Sequence, residues 1–263
     1  MGGRRTQKQK KIGKKCLWGL LFLLICITLY YGIHLLILLQ QDRQSKTTYE
    51  QLQAEVLSPE MQAVQTQNEN AYAPPIQFAQ LAKINSDAIA WLYCAGTPIS
   101  YPIVQGTDNT YYLKHTIDKK YAEAGCVFLD FRNEPNFSQT QSIVFGHNFY
   151  RSDLMFTSLA QYQNQTYYDD FPTMTLFTPT AEYEIMLFSG YAVEAAQYDL
   201  EMTYDTPQEY EAFLRAAQEK SDFISNVTPT ATDRIFTMCT CSENGADARY
   251  LLHGVLKLTA GEE

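Results

Sequence analysis

An apolar run of the chain ends in the stretch Thr237-Met238-Cys239-Thr240-Cys241, and a second apolar run begins eight residues later at Arg249. Both runs are rich in β-branched, aromatic and aliphatic residues, which is typical of strands. The polar segment 242–247 between them has the composition of a connecting turn. A thiol at one strand end and a guanidinium on the neighbouring strand can therefore meet. Such a pair suits acyl transfer, in which a thiolate attacks a carbonyl and a fixed cation stabilises the developing oxyanion.

This arrangement resembles the signature of the sortase family, which is Thr-Leu-x-Thr-Cys followed after a short loop by Arg. The matching residues are Thr237, Thr240, Cys241 and Arg249, with Met238 in place of the usual Leu. The family also places a His at the end of an earlier strand, and the segment 143–148, Ile-Val-Phe-Gly-His-Asn, fits that pattern. The resemblance therefore implies three catalytic residues, which are His147, Cys241 and Arg249.

Each of these three candidates has a rival interpretation. A lone Cys in a strand is usually a small buried hydrophobe, and only its neighbours make Cys241 a nucleophile. His147 directly follows an apolar strand and a Gly, where an exposed base is expected, whereas His115 lies in a polar loop and His253 inside a strand. Arg234 stands seven residues before the thiol, or ~23 Å along an extended chain, so Arg249 is favoured for the oxyanion.

The folded domain is predicted to be mainly β. A short amphipathic helix over 76–84 is followed by eight strands punctuated by Gly, Pro and Asn, which suggests a closed or nearly closed barrel. The predicted strands are Trp91–Cys94, Ile99–Val104, Cys126–Asp130, Ile143–His147, Met174–Thr178, Tyr183–Val193, Ile235–Cys241 and Tyr250–Leu258.

One helix is predicted before the Cys-bearing strand. Thr206-Pro207-Gln208-Glu209 is a capping box with Pro at the first helical position, and an apolar stripe follows it to about Asp222. A long helix at this place is a mark of class B sortases. The resemblance to that class runs from about residue 76 to 259 and includes the segments 84–92, 101–105, 128–133 and 146–148.

The N-terminal region predicts a membrane anchor. Residues 16–39 contain no Asp, Glu, Lys or Arg, and at ~1.5 Å per helical residue they span the ~30 Å hydrocarbon core. A signal peptide is the rival reading, but its apolar region is usually about 7–15 residues and ends in small residues, which residues 38–43 do not offer.

The charge distribution predicts the orientation of the chain in the membrane and argues against a nucleic-acid partner. Residues 1–15 hold seven basic side chains and no acidic one, which places them in the cytoplasm by the positive-inside rule. The rest of the chain holds 13 basic against 29 acidic side chains, so we expect no nucleic-acid partner. The predicted organisation is a cytoplasmic tail over 1–15, a transmembrane helix over 16–39, an extracellular stalk or linker over 40–75 and a sortase catalytic domain over 76–263.

The predicted exported part carries four cysteines, which are Cys94, Cys126, Cys239 and Cys241. An oxidising location makes pairing possible, but spacing does not identify pairs. Cys239 and Cys241 are too close for an easy bridge, because residues i and i+2 of a strand lie about 6–7 Å apart on one face. A zinc site would need a second pair of ligands, which the sequence lacks. The resemblance likewise implies no metal and no cofactor.

The resemblance implies a membrane-anchored cysteine transpeptidase on the outer face of a Gram-positive-type cell. Its substrates are secreted proteins with a C-terminal sorting signal of the Asn-Pro-x-Thr-x kind, and its acceptor is a peptidoglycan precursor amine. Thr240 is expected to position substrate, and Cys239 is expected to pack in the interior or to form part of the substrate-binding wall. By weaker similarity, Asn109, Leu113 and Tyr198 are expected to line the substrate groove. Three alternatives remain open at this point: a hydrolytic cysteine peptidase, a pilin-polymerising sortase and a non-catalytic tethered binding domain.

Overall fold

The structure, a computed structural model, describes the backbone of residues 3–58, 73–148, 153–194, 201–241 and 248–262. The chain divides into two compact units, residues 1–44 and residues 45–263. The helices are α1 (Gly3–Val56), α2 (Phe78–Ile84), α3 (Gln165–Asp170) and α4 (Pro207–Lys220), with 3-10 turns at Tyr111–Leu113 and Thr157–Gln163. The strands are β1 (Ala88–Tyr93), β2 (Ser100–Val104), β3 (Val127–Leu129), β4 (Gln141–Phe145), β5 (Thr173–Phe177), β6 (Ala181–Glu194), β7 (Arg234–Cys241) and β8 (Ala248–Gly261).

The eight strands form a closed barrel in the order β1-β2-β3-β4-β7-β8-β6-β5. The pairs β2/β3 and β4/β7 are parallel, and the other six are antiparallel. Closure satisfies the backbone groups that an open sheet leaves unpaired at its edges. The predicted barrel is therefore confirmed, and its order places β7 between β4 and β8.

Alternation along β7 separates two apolar clusters. Phe236 and Met238 belong to the main core cluster, whereas Ile235 and Cys239 belong to a second cluster that includes the buried face of α4. Successive side chains of a strand point to opposite faces, so the residues of β7 alternate between the barrel interior and its α4-covered outer face.

Helix α4 starts where the sequence predicts. The Thr206 side chain accepts a hydrogen bond from the Glu209 amide at 3.2 Å, and the Glu209 carboxylate accepts one from the Asp205 amide at 3.2 Å. Pro207 occupies the first helical position, where a missing N–H carries no penalty. Tyr210, Leu214 and Ala217 form the buried face of the helix. The predicted inserted helix is thus confirmed.

Helix α1 contains a long apolar segment after its basic first turns. Its part Leu17–Val56 is long and apolar enough to cross a membrane, with a mean hydropathy of 2.4 in its most apolar 18-residue window. Its last turns belong to the unit 45–263, in which Ser45, Tyr49, Leu52 and Val56 are buried at helical spacing. A stalk over 40–75 stays a prediction, and residues 59–72 of it lie outside the described part of the chain.

Candidate active site

The parallel pairing of β4 with β7 brings two strand ends together. The last described partners are Phe145 and Cys239, and the Gly146 amide donates to the Cys239 carbonyl at 3.2 Å. His147 and Cys241 each lie two residues beyond those partners, so their backbones stand at the same level. A Cβ at Gly146 would lie 2.6 Å from the Phe156 ring, so glycine allows the close approach of this ring directly before His147.

The antiparallel pairing of β7 with β8 places Cys241 directly opposite Arg249. Side chains of directly opposite residues lie on the same face of the sheet, with Cβ atoms about 4.5–5.5 Å apart. The backbone register therefore agrees with the predicted meeting of thiol and guanidinium. The segment 242–247 and the Cys241 side chain lie outside what the structure describes.

His147 is held at its backbone and at its ring. Its carbonyl accepts a hydrogen bond from the Phe156 amide at 3.0 Å, and its imidazole bonds to the backbone carbonyl of Leu113. The Nε2 atom is buried and has no hydrogen-bond partner among the described residues. A ring that is anchored on one side and unsatisfied on the other is arranged to exchange a proton with a bound substrate.

The surroundings of His147 keep its imidazole neutral. Burial is the largest cause and lowers its pKa below the ordinary value, while the Leu113 carbonyl and the Glu123 carboxylate oppose this by favouring the imidazolium. The positive charges of Lys114 and Arg249 lower the pKa further. The influence of Arg249 on His147 means that the two predicted residues share one electrostatic environment. A neutral imidazole at pH 7 can accept a proton from a thiol or an amine.

Thr240 and Cys239 lie on opposite faces of β7. Thr240 is 2% exposed, and its buried Oγ1 atom has no hydrogen-bond partner among the described residues. Cys239 is 1% exposed and packs in the apolar cluster beneath α4, together with Phe145 and Leu251. This burial favours the packing interpretation of Cys239.

The remaining predicted substrate-binding residues are Asn109, Leu113 and Tyr198. The Asn109 amide is engaged within the protein, because it donates to the Asp130 carboxylate at 2.9 Å and accepts from the Phe131 amide at 3.0 Å. Leu113 packs against the core and bonds to His147 through its carbonyl. Tyr198 lies outside the described residues. Sequence reasoning missed three groups that act on the pKa of His147, which are the Leu113 carbonyl, Lys114 and Glu123. A backbone carbonyl, in particular, leaves no signature in a sequence.

The two rival histidines, His115 and His253, make contacts within the protein that suit a structural role. The His115 ring stacks on Tyr111 with centroids 4.0 Å apart, and its Nδ1 lies 2.7 Å from the Tyr111 carbonyl oxygen. His253 is fully buried, and its Nδ1 lies 2.9 Å from the Thr237 hydroxyl, which in turn accepts from the Gln141 amide at 2.8 Å. Among the residues that the structure describes, no three His, Cys, Asp or Glu side chains converge where a metal could bind.

The buried His253 predicts an acid-sensitive fold. Burial lowers its pKa from 6.5 to about 3, so in this range the unfolded chain binds a proton that the native protein does not. Its contribution to stability is complete above pH 6.5 and is lost progressively as the pH falls toward 3. Between pH 6.5 and 4 we expect the free energy of unfolding to fall by about 3 kcal/mol more in the wild type than in His253→Asn. Urea unfolding across this pH range measures the difference.

A matched variant tests whether this slope belongs to His253. His115→Asn removes a histidine from a loop instead of from the interior, and it should keep the wild-type dependence of stability on pH. Equal slopes in the wild type and His253→Asn would show that His253 is not held neutral.

The chain is similar to known proteins both in sequence and in structure. No family model matches the chain. Sortase B of Listeria monocytogenes is 33% identical over 165 residues, which are 63% of this chain and 67% of that protein. A solved structure of sortase B complexed with Gly3 has a TM-score of 0.73 and 29% identity, and covers 83% of this chain and 100% of the other. The Staphylococcus aureus sortase B–substrate complex has a TM-score of 0.67 and 25% identity, and covers 84% and 95% of the two chains. The resemblance drawn from the sequence motifs is thereby confirmed.

Proposed function

Because the chain belongs to the class B sortases and is a sortase-type cysteine transpeptidase, we propose that it cleaves a sorting signal of the Asn-Pro-x-Thr-x type after Thr. The upstream protein is then attached to an amine of the cell-wall peptidoglycan. The observation that carries this proposal is the register of three neighbouring strands, in which Cys241 stands opposite Arg249 and His147 follows two residues after Phe145, the partner of Cys239.

The three residues divide the chemistry between them. His147 takes the proton of the Cys241 thiol, and the thiolate attacks the Thr carbonyl carbon while Arg249 stabilises the oxyanion. His147 then gives this proton to the leaving amine, the C–N bond breaks, and a thioester remains on Cys241. The acceptor amine attacks the thioester and loses a proton to His147, and the released thiolate recovers it. The neutral state of His147 supports the first of these steps.

The nature of donor and acceptor is supported by the relatives. A Staphylococcus aureus sortase B is known in complex with a substrate, and a sortase B is known in complex with Gly3, which offers a primary amine. We infer that this chain likewise takes a sorting signal as donor and an amine as acceptor. Thr240, Leu113 and Tyr198 are proposed to line the substrate groove.

The apolar part of α1 supports a membrane anchor. Its length and hydropathy suit a single span, and the seven basic side chains within residues 1–15 favour a cytoplasmic N-terminus. The catalytic unit is then placed on the outer surface of the membrane, where secreted proteins and cell-wall precursors meet.

A peptide assay tests the proposed reaction. The full chain in detergent micelles is mixed with Asn-Pro-x-Thr-x or Leu-Pro-x-Thr-Gly peptides, with and without triglycine, and the products are identified by mass spectrometry. We expect cleavage after Thr, transfer of the acyl group to triglycine, and turnover at least about tenfold faster with the Asn-Pro-x-Thr-x peptide.

Each alternative class predicts a different product. Cleavage without transfer to any offered amine would favour a hydrolytic cysteine peptidase. Transfer to a Lys-containing pilin peptide in preference to triglycine would favour a pilin-polymerising sortase. Binding of the peptide with no cleavage would indicate a non-catalytic tethered domain and would contradict the proposal.

A further inference from the structure

The last turns of α1 contact a loop that supports the imidazole of His147. Tyr49 is 2% exposed, and its hydroxyl donates a buried hydrogen bond to the Gly125 carbonyl at 2.8 Å, across 76 residues of sequence. A buried hydroxyl with one well-formed bond fixes the position of its acceptor, because leaving either group unpaired is costly.

Gly125 lies directly against the carbonyl that holds His147. Its φ is +61°, and a Cβ there would come within 2.5 Å of the Leu113 carbonyl oxygen. Two backbone hydrogen bonds join the segments 112–114 and 122–126. The Cys126 amide donates to the Tyr112 carbonyl at 2.9 Å, and the Ala122 amide donates to the Lys114 carbonyl at 3.0 Å. The position of Gly125 therefore determines where the Leu113 carbonyl stands.

A second tyrosine reaches the other side of His147. The Tyr101 ring meets the Tyr49 ring edge to face, with centroids 5.6 Å apart, and the Met155 backbone bonds to the Tyr101 hydroxyl. Met155 pairs with Asn148, and the adjoining Phe156 amide bonds to the His147 carbonyl at 3.0 Å. Tyr49 thus contacts the segment of Gly125, and Tyr101 contacts the segment of Met155, whose neighbour Phe156 bonds to His147.

We propose that Tyr49 is a positioning residue for His147, acting through Gly125 and the Leu113 carbonyl, with Tyr101 supporting the opposite segment. The proposal rests on the role of His147 as the base in the proposed function. It makes the docked end of α1 a part of the catalytic machinery.

Loss of the Tyr49 hydroxyl should change the pKa of His147 in one direction. The charged groups that face His147 are Glu123, Lys114 and Arg249, and none of them is bonded to Tyr49 in any contact described. Loss of the Tyr49 hydroxyl leaves these charges in place and loosens the Leu113 carbonyl, whose bond favours the imidazolium. The pKa of His147 should therefore fall further in Tyr49→Phe.

The test uses the full chain in detergent micelles with ¹³Cε1-labelled histidine. The signal of His147 is the one that disappears in His147→Gln. In Tyr49→Phe we expect this signal to titrate at lower pH than in the wild type and kcat of transfer to triglycine to fall roughly tenfold, with little change in KM for the sorting peptide.

The matched control is Tyr162→Phe. Tyr162 is also fully buried, and its hydroxyl donates to the Phe171 carbonyl at 2.9 Å, so the variant loses the same kind of bond outside the barrel strands. It should leave the His147 titration unchanged. The proposal is overturned if Tyr49→Phe leaves the titration of His147 unmoved, or if Tyr162→Phe moves it equally. Absence of transfer in the wild type would contradict the proposed function alone, because the titration is measured without substrate.

Discussion

Replacing Cys241 by alanine should abolish the acyl-enzyme and lower the rate of transfer by at least about 10⁴-fold. The proposed reaction passes through a thioester on this residue, and a methyl group can neither attack a carbonyl nor carry an acyl group. Neither neighbour can replace it, because Thr240 points to the opposite face of β7 and Cys239 packs beneath α4. Intact-protein mass spectrometry after incubation with the sorting peptide measures the adduct directly.

Cys239→Ala is the matched control for this prediction. It removes the other thiol of the same strand and face, and it should keep transfer within about threefold of the wild type, since Cys239 fills space in an apolar cluster. An acyl adduct that forms in Cys241→Ala and is absent from Cys239→Ala would assign the nucleophile to Cys239. Retention of the biological role by Cys241→Ala would support the tethered binding domain.

The pairing of thiol and cation could be predicted from the sequence because it is local. Only the six residues 242–247 separate β7 from β8, and two strands with so short a connection form an antiparallel pair by default. The spacing between Cys241 and Arg249 then suffices to bring the two residues to the same strand ends. The capping box of α4 is equally local, which is why its start at Pro207 agrees with the prediction.

The position of His147 next to the end of β7 could be predicted only through the family resemblance. Strand β4 lies beside β7, although β5, β6 and α4 separate them in the chain, and the two strands are parallel. No spacing in the sequence specifies that neighbour. The resemblance supplied it, because the Gly-His-Asn motif is tied to this position in the fold.

Two supports of the site carry no sequence signal of their own. The Leu113 side chain is partly buried against the core, and it is the backbone carbonyl that bonds to His147. The spacing of Tyr49, Leu52 and Val56 suggests an amphipathic helix, but the surface that it covers is formed by residues far away in sequence, such as Gly125. Such contacts depend on the assembled barrel and are visible only in the structure.

Replacing Arg249 by alanine should lower kcat by about 10²–10³-fold while KM for the sorting peptide changes little. A cation aimed at the developing oxyanion acts mainly in the transition state, and removing one such donor typically costs this much. The same variant removes a positive charge that lowers the pKa of His147, so that pKa should rise. Steady-state transfer to triglycine and histidine titration by NMR measure the two effects on one preparation.

Arg234→Ala separates the position of the charge from its mere presence. Arg234 lies at the opposite end of β7, where its guanidinium stands 5.4 Å from the Tyr183 ring and donates to the Phe137 carbonyl at 3.4 Å. Its loss should cost some stability but leave kcat and the His147 titration near their wild-type values. Arg249→Lys should fall between Arg249→Ala and the wild type, because an ammonium keeps the charge but lacks the planar set of donors. If Arg249→Ala retains full kcat, or if Arg234→Ala is equally slow, the oxyanion is stabilised by another group, and the Cys241–Arg249 register would serve folding only.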